Sequence, residues 1–201
     1  MLDTVMQKRP LFHPDRSGLT LVEMLVAVAV LGVLLAVAIP SLVDMMERRR
    51  VAAVAGELAG IFNYAKSEAN VFVSQDQLTL HLEPMTDMQA SCARLVTSSL
   101  FDNCSCGTAS ADVCSQTSKM LRELIVPKDT GISFEAAGDW GAMDSNVVNF
   151  SRNTHFNDVS NVRVTVKGRR TGAQLQVQYN SIGRVRTCSP GGTMSGYPAC
   201  G

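Results

Sequence analysis

The sequence predicts an α+β chain in which one long N-terminal helix, a membrane anchor in its first half and amphipathic in its second, packs on a small antiparallel β domain. Three observations predict it. An apolar run from Met24 to Ile39 lies inside Leu19 to Val43, a stretch of 25 residues. As a helix rising ~1.5 Å per residue it reaches about 37 Å and crosses a hydrocarbon layer of about 30 Å with some tilt. Beyond Pro40, apolar residues recur at three- and four-residue steps as far as Ala69. Near the C-terminus two short segments alternate apolar and polar residues on either side of a Gly-containing turn, as a half-buried hairpin does.

Residues 1–18 stand apart. A secretory signal peptide follows its charged part directly with an apolar run of roughly 7 to 15 residues and a small-residue cleavage site after the run. Here the charged part runs from Met1 to Arg16, and the small-residue junction Ser17-Gly18 precedes the apolar run, so a cut at Gly18 leaves the helix on the product. Glu23 is the odd residue of the helix. A carboxylate facing lipid costs about 2.5 to 3.5 kcal/mol near mid-bilayer and less towards an end, and it marks function by default. The plainer account is that Glu23 lies close enough to the interface to be solvated.

Gly18, then an apolar residue, Thr20-Leu21-Val22, Glu23 at the fifth place after the cut and Pro40 at the twenty-second resemble the class III leader of type IV pilins and type II secretion pseudopilins. The resemblance implies the pilin fold and a leader over 1–18, cut after Gly18 by a prepilin peptidase. It also implies methylation of the new amino terminus at Leu19 and a Glu23 carboxylate that pairs with the amino terminus of a neighbouring subunit. Leu19 departs from the family, which usually has Phe there. On this reading residues 19–45 are the transmembrane and filament-core helix, and 46–201 the globular domain.

With leader and anchor set aside, roughly 150 residues remain, enough for one core and not two. Formal net charge is zero, but the charges are segregated. Residues 74–158 carry five bases against eleven acids, whereas 159–201 carry Arg163, Lys167, Arg169, Arg170, Arg184 and Arg186 and no acid. The six cysteines, Cys92, Cys104, Cys106, Cys114, Cys188 and Cys200, all lie beyond the membrane segment, as an oxidising compartment favours. Zinc needs four clustered thiolates, which Cys92, Cys104, Cys106 and Cys114 offer; disulfides are the preferred reading. Cys188 and Cys200 then close one small loop, and the other four allow three pairings, with Cys104 to Cys106 the least favoured. Lys8, Arg9 and Arg16 before the helix are matched by Arg48, Arg49 and Arg50 after it, so charge alone does not orient the anchor. The cysteines do, placing the domain outside the cytoplasm.

Taken in order, Val51, Val54, Ala55, Leu58, Ile61, Phe62, Ala65 and Ala69 make one apolar face of a helix that continues past Pro40 to about Asn70. Its end, Asn63-Tyr64-Ala65-Lys66-Ser67-Glu68-Ala69, is similar to the end of the first helix in the GspH/FimT group of minor pilins. Leu78, Leu80 and Leu82 alternate with Thr79 and His81 as a strand. Residues 84–117 are polar, Cys-bearing and without period, and read as an irregular excursion. Leu121 to Val126, Ile132 to Phe134 and Val147 to Phe150 are short strands, with Trp140 in a Gly-rich turn as core filler. Val162, Val164 and Val166 form the first strand of the hairpin, Lys167 to Gly172 its turn, and Leu175, Val177 and Tyr179 the second. After Asn180 to Gly183 turns the chain, Arg184 to Cys188 is extended, so Arg184 and Arg186 share a face about 6.6 Å apart with Val185 towards the core.

No catalytic set stands out. His13, His81 and His155 are isolated, and no Gly-rich phosphate loop precedes a helix, so neither an enzyme nor a cofactor or metal is expected. The string Gly183-Arg184-Val185-Arg186 is similar to the Gly-Arg-x-Arg signature near the C-terminus of FimT-type minor pilins. That resemblance implies binding of double-stranded DNA by pili during DNA uptake in natural transformation, through Gly183, Arg184 and Arg186; Lys167, Arg169 and Arg170, with Arg163 in the same acid-free stretch, are expected to add to it, as one patch or two. Guanidinium groups fork onto phosphate oxygens and release counterions, and backbone contacts carry no sequence information. The expected partners are other pilins, prepilin peptidase, the inner membrane and DNA, and the expected place is the inner membrane with a periplasmic domain, then an extracellular pilus. One rival is a structural or priming minor pilin, or a type II secretion pseudopilin, whose arginines are solvated or paired with the protein's own acids. A second is a pilus adhesin acting through 84–117.

Overall fold

The computed structural model describes residues 18, 20–71, 77–83, 90–98, 119–140, 146–150, 159–180 and 182–201. Leu19, Cys104, Cys106, Cys114, His13, His155 and all of the expected leader but Gly18 lie outside the described residues. The molecule divides into two units, Met1–Ser41 and Leu42–Gly201.

Helix α1 spans Leu21–Val71 and contains Pro40. Thr20 caps its start, its hydroxyl accepting the Glu23 N–H at 3.2 Å, which pairs one of the donors that a helix N-terminus leaves unsatisfied. Within the first unit the apolar side chains from Leu21 to Ile39 are exposed, and the helix is long and apolar enough to cross a membrane by length and composition.

In the second unit α1 buries Val51, Ala55, Leu58, Ile61, Phe62, Ala65 and Ala69, the face that the three- and four-residue spacing predicts. Eight strands follow: β1 Gln77–Glu83, β2 Ala90–Ser98, β3 Met120–Pro127, β4 Ile132–Trp140, β5 Val147–Phe150, β6 Val159–Gly168, β7 Gln174–Tyr179 and β8 Val185–Cys188. They form two antiparallel sheets, ordered β3-β2-β1-β5 and β4-β6-β7-β8. Phe62 of α1 stacks on Tyr179 of β7 at 5.3 Å between centroids and meets Phe150 of β5 edge-on at 6.4 Å, so one helix side chain touches both sheets.

Two expectations are corrected. Residues 90–98, inside the stretch expected to be irregular, form β2. Every residue from Ser91 to Val96 is buried, so the strand has no polar face to announce it by alternation. Its interior polar groups are paired instead: the Phe134 N–H donates to the Ser91 hydroxyl, and the Arg94 guanidinium donates to the Glu123 carboxylate opposite it on β3. Trp140, expected in a turn, is the last residue of β4. The register slips between Ala137 and Asp139, so Gly138 falls at a bulge and the strand continues through it.

The Cys188 to Cys200 bond is present as expected, and Cys92 is also disulfide-bonded.

Candidate functional site

The outer face of the second sheet carries the C-terminal cations, and register decides which of them meet. Arg163 on β6 lies opposite Gln178 on β7, and Gln178 lies opposite Arg186 on β8. The three make one row across the sheet, with the two arginines about 10 Å apart, two strand spacings. Arg184 lies two residues before Arg186; both are exposed, and Val185 between them packs against the core. The floor between the strands is a ladder of side-chain amides. Gln178 Nε2 donates to Gln176 Oε1 at 2.8 Å, and Gln176 Nε2 donates to Thr165 Oγ1 at 3.0 Å. A recess beside the row is lined by Asn161, Arg163, Gln178 and Asn180.

Lys167, Arg169 and Arg170 stand at the other end of the hairpin, Lys167 about 13 Å along β6 from Arg163. Their charges have largely been spent within the protein. Lys167 Nζ pairs with Glu135 at 2.7 Å, and Arg170 Nε pairs with Asp44 of α1 at 3.1 Å. Both pairs are exposed, and such pairs are worth only about 0.2 to 1 kcal/mol. Among the described residues no carboxylate lies within ion-pair distance of Arg163, Arg169, Arg184 or Arg186. The expected cations therefore divide: Arg169, Arg184 and Arg186 hold no acid, although Arg186 Nη2 donates to the Ala199 carbonyl at 3.4 Å, while Lys167 and Arg170 each hold one. Arg163 was legible only as one base of an acid-free stretch; its place in one row with Arg186, across β7, needs the register.

The hairpin turn is held by Glu47 of α1, a residue that sequence reasoning passed over. Its Oε1 accepts the Arg170 N–H at 3.1 Å, the Thr171 N–H at 2.8 Å and the Thr171 hydroxyl at 2.8 Å. Burial raises the pKa of Glu47, but the Thr171 and Arg170 hydrogen bonds and the Arg170 charge together outweigh it and hold the carboxyl below its ordinary value. Gly168 makes this approach possible, because a Cβ there would collide with the Glu47 carboxylate. Arg48 adds a bond from Nη1 to the Thr193 carbonyl at 2.8 Å.

Gly183 is a buried backbone position, not an exposed contact. Its φ of +76° is open to glycine and strained for other residues. Glu23 is exposed in the first turn of α1.

The N-terminal segment, residues 14–39, matches the family model of the prokaryotic N-terminal methylation motif, and Gly18, Leu19 and Glu23 all fall inside that match. No curated protein matches the chain. Among solved structures it is similar to the minor pseudopilin EpsH from the Type 2 Secretion System of Vibrio cholerae, at 12% identity, over 70% of this chain and 98% of that one, with a TM-score of 0.44. The chain joins an N-terminus that matches the methylation motif to a long helix packed on antiparallel sheets.

Proposed function

We propose that this prepilin-type protein is a minor pilin of a type IV pilus that binds double-stranded DNA without regard to sequence and supports DNA uptake in natural transformation. Residues 19–45 hold it in the inner membrane, with the domain in the periplasm, until prepilin peptidase has cut after Gly18 and the subunit joins other pilins in the filament. The reading is carried by one observation: Arg163, Arg184 and Arg186 stand exposed around Gln178 with no carboxylate partner among the described residues. A guanidinium cluster without a carboxylate partner, on a polar, regular face, suits phosphate oxygens, which accept in a fork and occur along any duplex. The amides around it are already engaged with one another, so the face offers charge and little base-reading chemistry.

The test is a mobility-shift assay with the full chain in nonionic detergent and a random-sequence duplex at low salt. Binding is expected, together with its loss in Arg184→Gln/Arg186→Gln. Unchanged binding in the double variant removes the assignment. No binding by the parent protein, alongside loss of pili when the protein is deleted, leaves the structural subunit as the function.

A further inference from the structure

We infer that Lys66 and Asn180 are positioning residues for the arginine strand: they fix the Gly183 turn from which Arg184 and Arg186 emerge, so that DNA meets a strand already ordered. The inference rests on the reading above that these arginines bind DNA.

Four hydrogen bonds hold the described residues of the turn. The Gly183 N–H donates to the Asn180 carbonyl at 2.9 Å, and the Asn180 N–H donates to the Arg184 carbonyl at 3.2 Å. The Arg184 N–H donates to Asn180 Oδ1 at 2.8 Å. Those three bonds are internal to the turn. In a fourth bond the Gly183 carbonyl accepts from Lys66 Nζ at 2.9 Å, and this one reaches 117 residues along the chain to α1. Lys66 is therefore the tie between the turn and the core helix. The helix side of that tie is stiff, because Phe62, one turn earlier, stacks on Tyr179, the residue before Asn180.

The lysine stem lies against Gly183 so closely that a Cβ there would meet Lys66 Cε and Nζ at 3.3 Å. Together with the positive φ, this gives the glycine of the Gly-Arg-x-Arg string a role in holding the strand. Lys66 belongs to the Asn63 to Ala69 segment, so the two separate stretches that sequence reasoning singled out meet at this hydrogen bond. Pre-ordering the strand spares part of the entropy that ordering it on DNA would cost.

The experiment uses the full chain in nonionic detergent with a fluorescent random duplex, titrated across salt. Lys66→Met is expected to weaken binding about five-fold at every salt concentration, as the net loss of one hydrogen bond does. The slope of log K against log salt should stay at the parent value, and Lys66→Arg should restore affinity. Asn180→Ala is expected to act in the same direction. Unaltered affinity in Lys66→Met overturns the inference. So does a slope shallower by about 0.9, which would put Lys66 on a phosphate itself. Without DNA, amide hydrogen exchange over 180–186 should quicken in Lys66→Met, and unchanged exchange also overturns it. Arg184→Gln/Arg186→Gln run alongside separates the two readings: full binding there defeats the DNA site, while the exchange result still decides whether Lys66 holds the turn.

Discussion

Glu47→Gln tests the link between helix and hairpin most directly. One carboxylate oxygen receives three donors, from Arg170 N, Thr171 N and Thr171 Oγ1, and the residue is 8% exposed. The amide keeps the shape and one acceptor oxygen but removes the charge. Hydrogen bonds to charged groups contribute about 1.5 to 3 kcal/mol and neutral ones about 0.5 to 1.5, so three bonds lose about 3 kcal/mol in all. The amide escapes the cost of burying a charge, which returns part of this and leaves a net loss of about 2 kcal/mol. For a unit the size of Leu42–Gly201 that corresponds to a fall in melting temperature of about 4 to 8 °C. The assay is thermal melting of the full chain followed by circular dichroism in nonionic detergent, repeated across pH. Because the folded carboxyl titrates below its unfolded value of about 4.3, its stabilisation is fully present above that value and lost as pH falls through the folded one. Parent and variant should therefore differ at neutral pH and converge in acid. Equal melting at neutral pH, or a gap that survives full protonation, would refute the account of the latch.

Three further outcomes are expected. If Arg163, Arg184 and Arg186 contact phosphates, the log K against log salt slope is about −2.7, a loss of about 40-fold between roughly 50 and 200 mM salt. In Arg184→Gln, which keeps two of the three contacts, it falls to about −1.8. A slope near −5.4 in a salt-titrated anisotropy measurement would mean that Lys167 and Arg170 leave their carboxylates and that the two ends of the hairpin act as one patch. Replacing Cys188 and Cys200 by serine opens a loop whose ends are 12 residues apart and should cost about 3 kcal/mol, read as an earlier urea or thermal midpoint. Coexpression with a prepilin peptidase should shorten the chain to begin at Leu19; an intact mass that still includes residues 1–18 would contradict the leader reading.

Much of the fold was legible because its signals are local. The apolar run, the 3.6-residue stripe from Val51 to Ala69 and the alternation in β6 and β7 each follow from one element burying one face. β2 escaped for the converse reason. A strand buried on both faces, with Ser91, Arg94 and Thr97 inside, looks polar and aperiodic until the groups that pair with them are in place. The bulge at Gly138 hid the end of β4 in the same way, since a glycine reads as a turn unless a partner strand carries the chain through it.

By itself the sequence determined the methylation-motif start, the long helix with its apolar first half, the hairpin, the Cys188 to Cys200 loop and a C-terminal region rich in cations. Which of those cations remain free was decided only by tertiary structure. Charge along a chain is a sum, whereas charge on a surface depends on what lies across the fold. Asp44 reaches Arg170, Glu135 takes Lys167, and strand register sets Arg163 in one row with Arg186, across Gln178. Lys66 and Gly183 are 117 positions apart and meet because a helix packed on a sheet brings its end to that turn. No spacing rule along a sequence encodes such distances, since they arise from how faces bury against one another.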